Sequence, residues 1–415
     1  MTLTRIFLAV AAATALTACS DRTAGSDPPS GGTGPLYEDV TDTHLPAGVT
    51  DGLSMDAAVA DVDGDGDLDI VVAHEFRPNI LLLNDGRGRF TDGSDRLPSA
   101  RHDSEDVGIT DFDGDGDLDI VVVSEDDETN ELYFNDGAGR FVDEGGRLPV
   151  TGTSNAVVVA DLTGDGAPDI VIGNNGPDAF LENDGGGGFV DATDRRLPGI
   201  DDVTQDLELG DVDEDGDLDL LVGNEDRNRL LLNDGTGVFE DASEGRIPLR
   251  EGEEETREAD FGDVDGDGDL DVLFANVRAF VEGADLRNRL LVNDGAGAFV
   301  DETDARLPAD GDHSFDGDFL DVDGDGDLDV VTSNSVVDLS RGQIDPAPWR
   351  VYLNDGRGMF DEATERVLPA TAVGTGFDAV MADFDGDGAM DLYLASRGTA
   401  DRLLLGAEGG RAAEQ

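Results

Sequence analysis

The sequence predicts an all-β protein, a seven-bladed β-propeller with four-stranded antiparallel blades. Three observations carry that prediction. An acidic nonapeptide, Asp61–Asp69 or DVDGDGDLD in its first copy, recurs seven times; short apolar runs flank each copy; and a second turn, Asn-Asp-Gly, recurs with a phenylalanine shortly after it. The nonapeptides begin at Asp61, Asp111, Asp161, Asp211, Asp263, Asp321 and Asp383, at steps of 50, 50, 50, 52, 58 and 62 residues. A period of that size reads as one array of stacked supersecondary units rather than as unrelated domains.

The first complete unit shows the parts in order. Met55–Ala60 is a short apolar first strand, and the acidic loop follows. Ile70–Ala73 gives a second strand, Ile80–Leu83 a third, and the turn at Asn84-Asp85-Gly86 leads to a fourth at Arg89–Asp92. Four short strands joined by Gly-rich and Asn-Asp-Gly turns make one antiparallel sheet. Seven such sheets around an axis make a propeller, whereas apolar runs this short and this densely punctuated by glycine do not make a helical solenoid.

The seventh unit lacks its fourth strand, because Leu403-Leu404-Leu405 is followed by Gly406-Ala407-Glu408. The missing piece lies at the other end: Leu36–Asp42 with Leu45-Pro46 matches Phe189–Asp194 with Leu197-Pro198. Leu36–Val40 is therefore expected to pair beside Leu403–Leu405, close the ring and remove an exposed edge. This divides the chain into 1–18, 19–35, a propeller at 36–406, and a tail at 407–415.

The formal charge of -69, from 96 acids against 27 bases that are all arginine, argues against nucleic acid and against an electrostatic hold on anionic membrane, leaving the lipid anchor as the only membrane contact, and makes cations the natural partners. Arg5, the apolar run Ile6–Leu16 and Leu16-Thr17-Ala18-Cys19 read as a bacterial lipoprotein signal, with the only cysteine, Cys19, lipidated after cleavage. The run is too short to span a membrane. Residues 20–35 are mostly Gly, Ser, Thr, Asp and Pro with almost nothing apolar, a flexible tether. By resemblance to lipoprotein sorting rules in diderm bacteria, Ser20 after the cysteine points to the outer membrane.

Calcium takes six to eight oxygen ligands in a flexible cage, and a curled nonapeptide with carboxylates at positions 1, 3, 5 and 9 supplies them. Position 6 is the glycine of the sharp turn, and position 7 offers its carbonyl, so it tolerates alanine. The expected ligands are Asp61, Asp63, Asp65, Asp67 and Asp69; Asp111, Asp113, Asp115, Asp117 and Asp119; Asp161, Thr163, Asp165, Ala167 and Asp169; Asp211, Asp213, Asp215, Asp217 and Asp219; Asp263, Asp265, Asp267, Asp269 and Asp271; Asp321, Asp323, Asp325, Asp327 and Asp329; and Asp383, Asp385, Asp387, Ala389 and Asp391. Up to seven calcium ions are expected. Thr163 makes the third site the weakest, and Glu214 at position 4 of the fourth is expected to be harmless. An EF-hand is excluded, since position 12 is Val72 rather than glutamate.

With D-x-D-x-D-G-x-x-D before an apolar strand and N-D-G-x-G-x-F after it, the chain resembles the FG-GAP/VCBS repeat family, to which integrin α-subunit propellers belong. The resemblance spans Leu36 to about Leu405. It implies calcium in the nonapeptide loops and partners on the opposite face. Members serve adhesion, and the same repeats also build polysaccharide lyases and lipase-like enzymes, so the fold does not choose the function.

The expected function is an envelope-anchored, calcium-binding scaffold for a protein or glycan; the alternative is an extracellular polysaccharide lyase or hydrolase on the same frame. The face opposite the acidic loops carries the variable segments Arg278–Arg289 and Ser333–Arg350, with Trp349 and a Pro346-Ala347-Pro348 bend. An enzyme would need a convergent constellation there, and His74, His102 and His313 are expected in loops of that face. The sequence contains neither a serine nucleophile elbow nor a zinc motif, and no catalytic residue is assigned. Five residues before each nonapeptide stands an acid in six units, Asp56, Asp106, Asp206, Glu258, Asp316 and Asp378, with Ala156 the exception. These acids are expected either to ring the channel mouth, where they could hold a cation or basic ligand, or to accept hydrogen bonds from neighbouring loop backbone.

Overall fold

The run after each acidic loop is buried on both faces, which is why it is continuously apolar: Ile70, Val71, Val72 and Ala73 are all at most 1% exposed. The computed structural model describes residues 34–407, apart from 126–128, 251, 253, 282, 310, 339–340 and 342. The predicted signal, Cys19 and most of the tether therefore lie outside the described residues, as does the tail beyond 407. Among the described residues no helix is long and apolar enough to cross a membrane.

The protein is all-β, built from repeated antiparallel sheets. In the first unit Asp51–Ala60, Asp69–Arg77, Ile80–Asn84 and Phe90–Asp92 pair in that order. The second repeats it with His102–Thr110, Asp119–Ser124, Glu131–Asn135 and Phe141–Asp143. In the seventh, Gly376–Ala382, Asp391–Ala400 and Arg402–Gly406 are joined by Tyr37–Asp39 from the start of the chain, with Tyr37 opposite Gly406 and Asp39 opposite Leu404.

Seven clusters of buried side chains hold these sheets face to face, each between consecutive units, and one of them joins the seventh unit to the first. The recurrent phenylalanines are part of this packing. Phe90 meets Phe384 edge-on at 5.4 Å, and Phe112 meets Phe189 at 5.5 Å. The first strand of every unit adjoins the first strands of the units before and after it, the seventh adjoining the first.

Four expectations are corrected. Ser333–Arg350 is not a loop: it lengthens the second strand of unit six to Asp338 and adds a strand at Gln343–Pro348, which pairs back onto it and against Val373–Gly374. The expected Pro346-Ala347-Pro348 bend is part of that strand. Trp349 is fully buried between units six and seven, and the α-carbon of Gly376 lies so close to its ring that any Cβ there would collide. His74, His102 and His313 stand in strands, not loops. His74 is buried with Nδ1 3.3 Å from the Pro78 carbonyl, and Nδ1 of His313 accepts the Arg278 amide at 3.0 Å.

Candidate metal centres and the axial channel

Each acidic loop is curled by its own first carboxylate. Asp61 Oδ1 accepts the amides of Gly64 at 2.9 Å and Asp65 at 3.1 Å, while Oδ2 accepts Gly66 at 3.0 Å. Gly64 and Gly66 sit at φ 75° and 97°, a left-handed curl that glycine adopts without strain. The ninth residue pins the loop to the fold. Asp69 Oδ2 accepts Val62 N–H at 3.3 Å and Oδ1 accepts Asn84 N–H at 2.9 Å. Burial outweighs these two bonds and pushes the Asp69 carboxyl up to about 7; its counterparts Asp119, Asp219, Asp271 and Asp391 also reach about 7, and Asp329 about 8.

The asparagine of the Asn-Asp-Gly turn does more than turn the chain. Asn84 Nδ2 donates to Leu68 O in its own loop and to Phe384 O in unit seven, at 3.0 and 2.9 Å. The same reach to the carbonyl of the previous unit's second loop residue recurs at Asn135 to Val62, Asn183 to Phe112, Asn233 to Leu162, Asn293 to Val212 and Asn354 to Val264. Unit seven has no such asparagine, and there Tyr37 Oη donates to Val322 O at 3.1 Å. A turn motif read for its backbone geometry is therefore also the link between units.

The loops fit a hard cation. Carboxylate oxygens of Asp61, Asp63 and Asp69 lie within 4.8 Å of one another, as do those of Asp111, Asp113 and Asp115, and of Asp211, Asp213 and Asp219. Buried oxygens at the first and third positions have no hydrogen-bond partner: Asp63 Oδ1, Asp211 Oδ1, Asp213 Oδ1, Asp323 Oδ1 and Thr163 Oγ1. Unsatisfied buried oxygens gathered in threes are what an oxygen-liganded ion relieves. In these clusters positions 1 and 3 are joined by position 9 in units one and four and by position 5 in unit two. The position-7 side chains of Asp117, Asp217, Asp269 and Asp327, like Asp67, sit against the Asn-Asp-Gly turn glycines instead, in line with a backbone role there. Unit four shows a cost that the sequence reading missed. Glu214 occupies φ 56°, where the other loops have glycine, and Asp211 Oδ1 is left unpartnered.

The inner strands carry a second set of acids. Each first strand has a β-bulge beside the residue five before the loop, at Ser54/Asp56 in unit one and at Ser104/Asp106 in unit two, with the same break in every unit. The bulge aims that acid at the next sheet. Asp56 Oδ2 accepts Val107 N–H at 3.0 Å, Asp106 Oδ2 accepts Val157 at 2.6 Å, Asp206 Oδ2 accepts Ala259 at 3.0 Å and Asp378 Oδ2 accepts Ala57 at 2.9 Å. Where Ala156 replaces the acid, Asn155 Nδ2 reaches Thr204 O at 2.7 Å.

These side chains also face an axial cavity of about 1730 Å³, lined by Asp56, Asp106, Asp206, Glu258 and Asp378. Asp56, Asp106, Asp206 and Asp378 meet both readings, with the acceptor role directed at strand backbone rather than loops, whereas Glu258 lines the cavity without such a bond. A second tier went unread: Glu208, Asp260 and Asp318, three residues before the loop in units four to six, also line the cavity. The signal was in the sequence, as the same offset in consecutive repeats. Enclosure by the ring of strands pushes the carboxyls up, to about 6 at Asp106, 7 at Asp378 and 8 at Asp206, the last also raised by the charge of Asp106.

At the cavity's far end from the acidic loops, side chains of the variable face converge. Arg397 pairs with Glu75, its Nε 2.7 Å from Oε2. Buried Glu255 accepts the amides of Ala279, Phe280 and Val281 and holds Arg257 at 2.9 Å, so the segment predicted at Arg278–Arg289 is pinned rather than loose. Phe280 is 72% exposed with the Arg257 guanidinium 4.9 Å from its ring centroid, and Phe76 is 52% exposed at φ 58°. Both phenylalanines line the cavity mouth.

No curated protein sequence matches the chain. Among solved structures, BBS1N in complex with ARL6DN is similar at 12% identity over 91% of this chain and 99% of that one, with a TM-score of 0.55. The extracellular domain of BT4673 from B. thetaiotaomicron is similar at 11% identity over 89% of this chain and 39% of that one, with a TM-score of 0.53. A lectin from Agrocybe aegerita, described as recognising non-reducing terminal N-acetylglucosamine, matches at 17% identity over 83% and 86% with a TM-score of 0.47. At these identities the likeness concerns the fold. The family model for the FG-GAP-like repeat matches residues 61–122, 111–172, 161–222, 211–274 and 336–394, together more than half of the chain. Four of these matches run from one acidic loop into the second strand of the following unit, the segment that the repeat geometry above defines, and the chain belongs to the FG-GAP-like repeat family.

Proposed function

We propose that the chain is a calcium-stiffened, closed seven-bladed propeller that binds a protein or glycan on the face opposite its acidic loops. Its lipidated Cys19 holds it to a bacterial envelope, at the outer membrane. Closure is supported by the Tyr37–Asp39 strand in the seventh sheet and by the cluster joining units seven and one. Calcium is supported by the gathered, unpartnered loop oxygens.

The observation that carries the binding role is the cavity mouth. Two phenylalanines are held in solvent there, one by a strained backbone and one under an arginine, beside fixed carboxylates. A large apolar ring kept exposed on an anchored segment serves a partner better than it serves the fold, and stacking on it suits a sugar face or an apolar side chain. Of the histidines named for the enzymatic alternative, His74 lies against the Pro78 carbonyl, His313 accepts the Arg278 amide and His102 stands 3.8 Å from Glu131.

The test is capture of glycans and envelope proteins by the calcium-loaded protein, compared with a Phe76→Ala/Phe280→Ala variant. The expected result is loss of capture of about tenfold or more with an unchanged melting temperature. Capture that survives the double substitution overturns this assignment of the face.

A further inference from the structure

The acids of the channel do not all serve as acceptors between sheets. Asp56, Asp106, Asp206 and Asp378 are each committed to an amide of the next strand. Between units five and six that work has shifted by two residues: Asp260 Oδ2 accepts Phe319 N–H at 2.7 Å. Glu258, the acid at the bulge itself, is thereby released, and it gathers with Asp316 and Asp318 of the next unit. Carboxylate oxygens of the three lie within 4.8 Å of one another.

A second observation singles this cluster out from the other acids of the ring. Asp316 is 1% exposed and its Oδ2 has no hydrogen-bond partner, and the buried Oδ2 of Asp318 has none either. Three carboxylates this close repel one another, and only protons or a cation resolve the repulsion. A proton shared between Asp316 and Asp318 satisfies that pair and leaves Glu258 outside it. A cation serves all three. Glu258 and Asp318 line the axial cavity, which gives water and ions a path to the cluster, and the acids around the same cavity, Asp206, Glu208, Asp260, Glu105 and Glu125 among them, outnumber its two arginines, Arg257 and Arg397, and make that path attractive to positive charge.

We infer that Glu258, Asp316 and Asp318 form an axial binding site for a hard divalent cation, calcium by preference, separate from the acidic loops. The ligands are oxygen only, without histidine or thiolate, which selects calcium, magnesium or manganese over zinc and copper. Side chains from two sheets that belong to irregular bulges suit the adaptable shell of calcium better than the rigid octahedron of magnesium. Such an ion would bridge units five and six at the interface where the committed carboxylate has moved.

Two measurements test the site. Calcium bound per chain is counted by equilibrium dialysis in the full-length protein, in Asp316→Asn/Asp318→Asn, and in Asp56→Asn, whose amide oxygen still accepts Val107 N–H. The expected result is one ion fewer in the double variant and no change in the control. An unchanged count in a folded double variant overturns the site and leaves a shared proton between Asp316 and Asp318. The second measurement needs no substitution: crystals of the wild-type protein grown with Mn2+ are expected to show an anomalous peak between Glu258, Asp316 and Asp318. An empty map at that position, with peaks in the acidic loops, overturns the axial site while leaving the loop sites standing.

Discussion

The acidic loops and the axial channel use the same side chain, five residues apart in the repeat, to opposite ends. In the loop, Asp61 is answered by three amides of its own curl, and the remaining oxygens turn toward one point. In the channel, Asp56 is answered by a single amide from the neighbouring sheet and otherwise faces an enclosed space crowded with like charge. The loop's environment is made locally and is therefore nearly identical in every copy. The channel's environment is made by seven strands together and differs around the ring, with Glu208, Asp260 and Asp318 in units four to six where the others carry Ala58, Gly108, Val158 and Val380. Locally built features repeat; collectively built ones are free to diverge.

The largest expected effect separates the two sets by chelation. Removing calcium leaves the loop carboxylates facing one another, and the melting temperature measured by calorimetry is expected to fall by more than about 10 °C. A chelator-insensitive transition breaks the contrast, because the loops would then be stable without an ion.

The channel is tested by pH. Asp106, Asp378 and Asp206 titrate at about 6, 7 and 8 in the fold, against roughly 4 in the unfolded chain. Raised carboxyls bind protons that the unfolded chain has released, so their contribution is complete below about pH 4 and is lost as pH climbs through 6 to 8. In chelator, the melting temperature is expected to rise by about 5 °C from pH 8.5 to pH 5. Asp106→Asn/Asp206→Asn/Asp378→Asn is expected to flatten that slope, and a slope that survives places it in the loops instead.

The link between sheets comes next. Asp56→Ala removes the inter-sheet acceptor of the Val107 amide, leaving it only Asp106 Oδ1, and is expected to cost about 1–2 kcal/mol in urea unfolding, whereas Asp56→Asn keeps that acceptor and costs less than about 1 kcal/mol. Equal losses would show that charge, not the hydrogen bond, matters there. The smallest effect refines the loop: Glu214→Gly relieves a left-handed glutamate and is expected to add about 1 kcal/mol.

The frame was legible because its signals are local. Alternating strands, the acidic curl and the exchange of the first strand into the last sheet all follow from short motifs at fixed spacing. The bulge was not legible as geometry, since it is a property of pairing; only its consequence, an acid at a constant offset, showed in the sequence. Trp349 was misplaced because an insertion was taken for a surface loop, and its burial depends on Gly376, a residue far along the chain. The histidines were misread for the same reason: strands extend beyond the apolar runs that announce them, as Asp69–Arg77 does past Ala73. The double duty of Asn84 needed a neighbouring carbonyl that only the assembled ring supplies.

The Tyr37 hydroxyl that substitutes for the seventh asparagine bears on folding. The strand bearing it precedes both of its partners, Val322 and Gly406, by most of the length of the propeller repeats. Pairing strands this far apart in the chain closes a very long loop, and before they meet each leaves an edge open to pairing with the wrong neighbour.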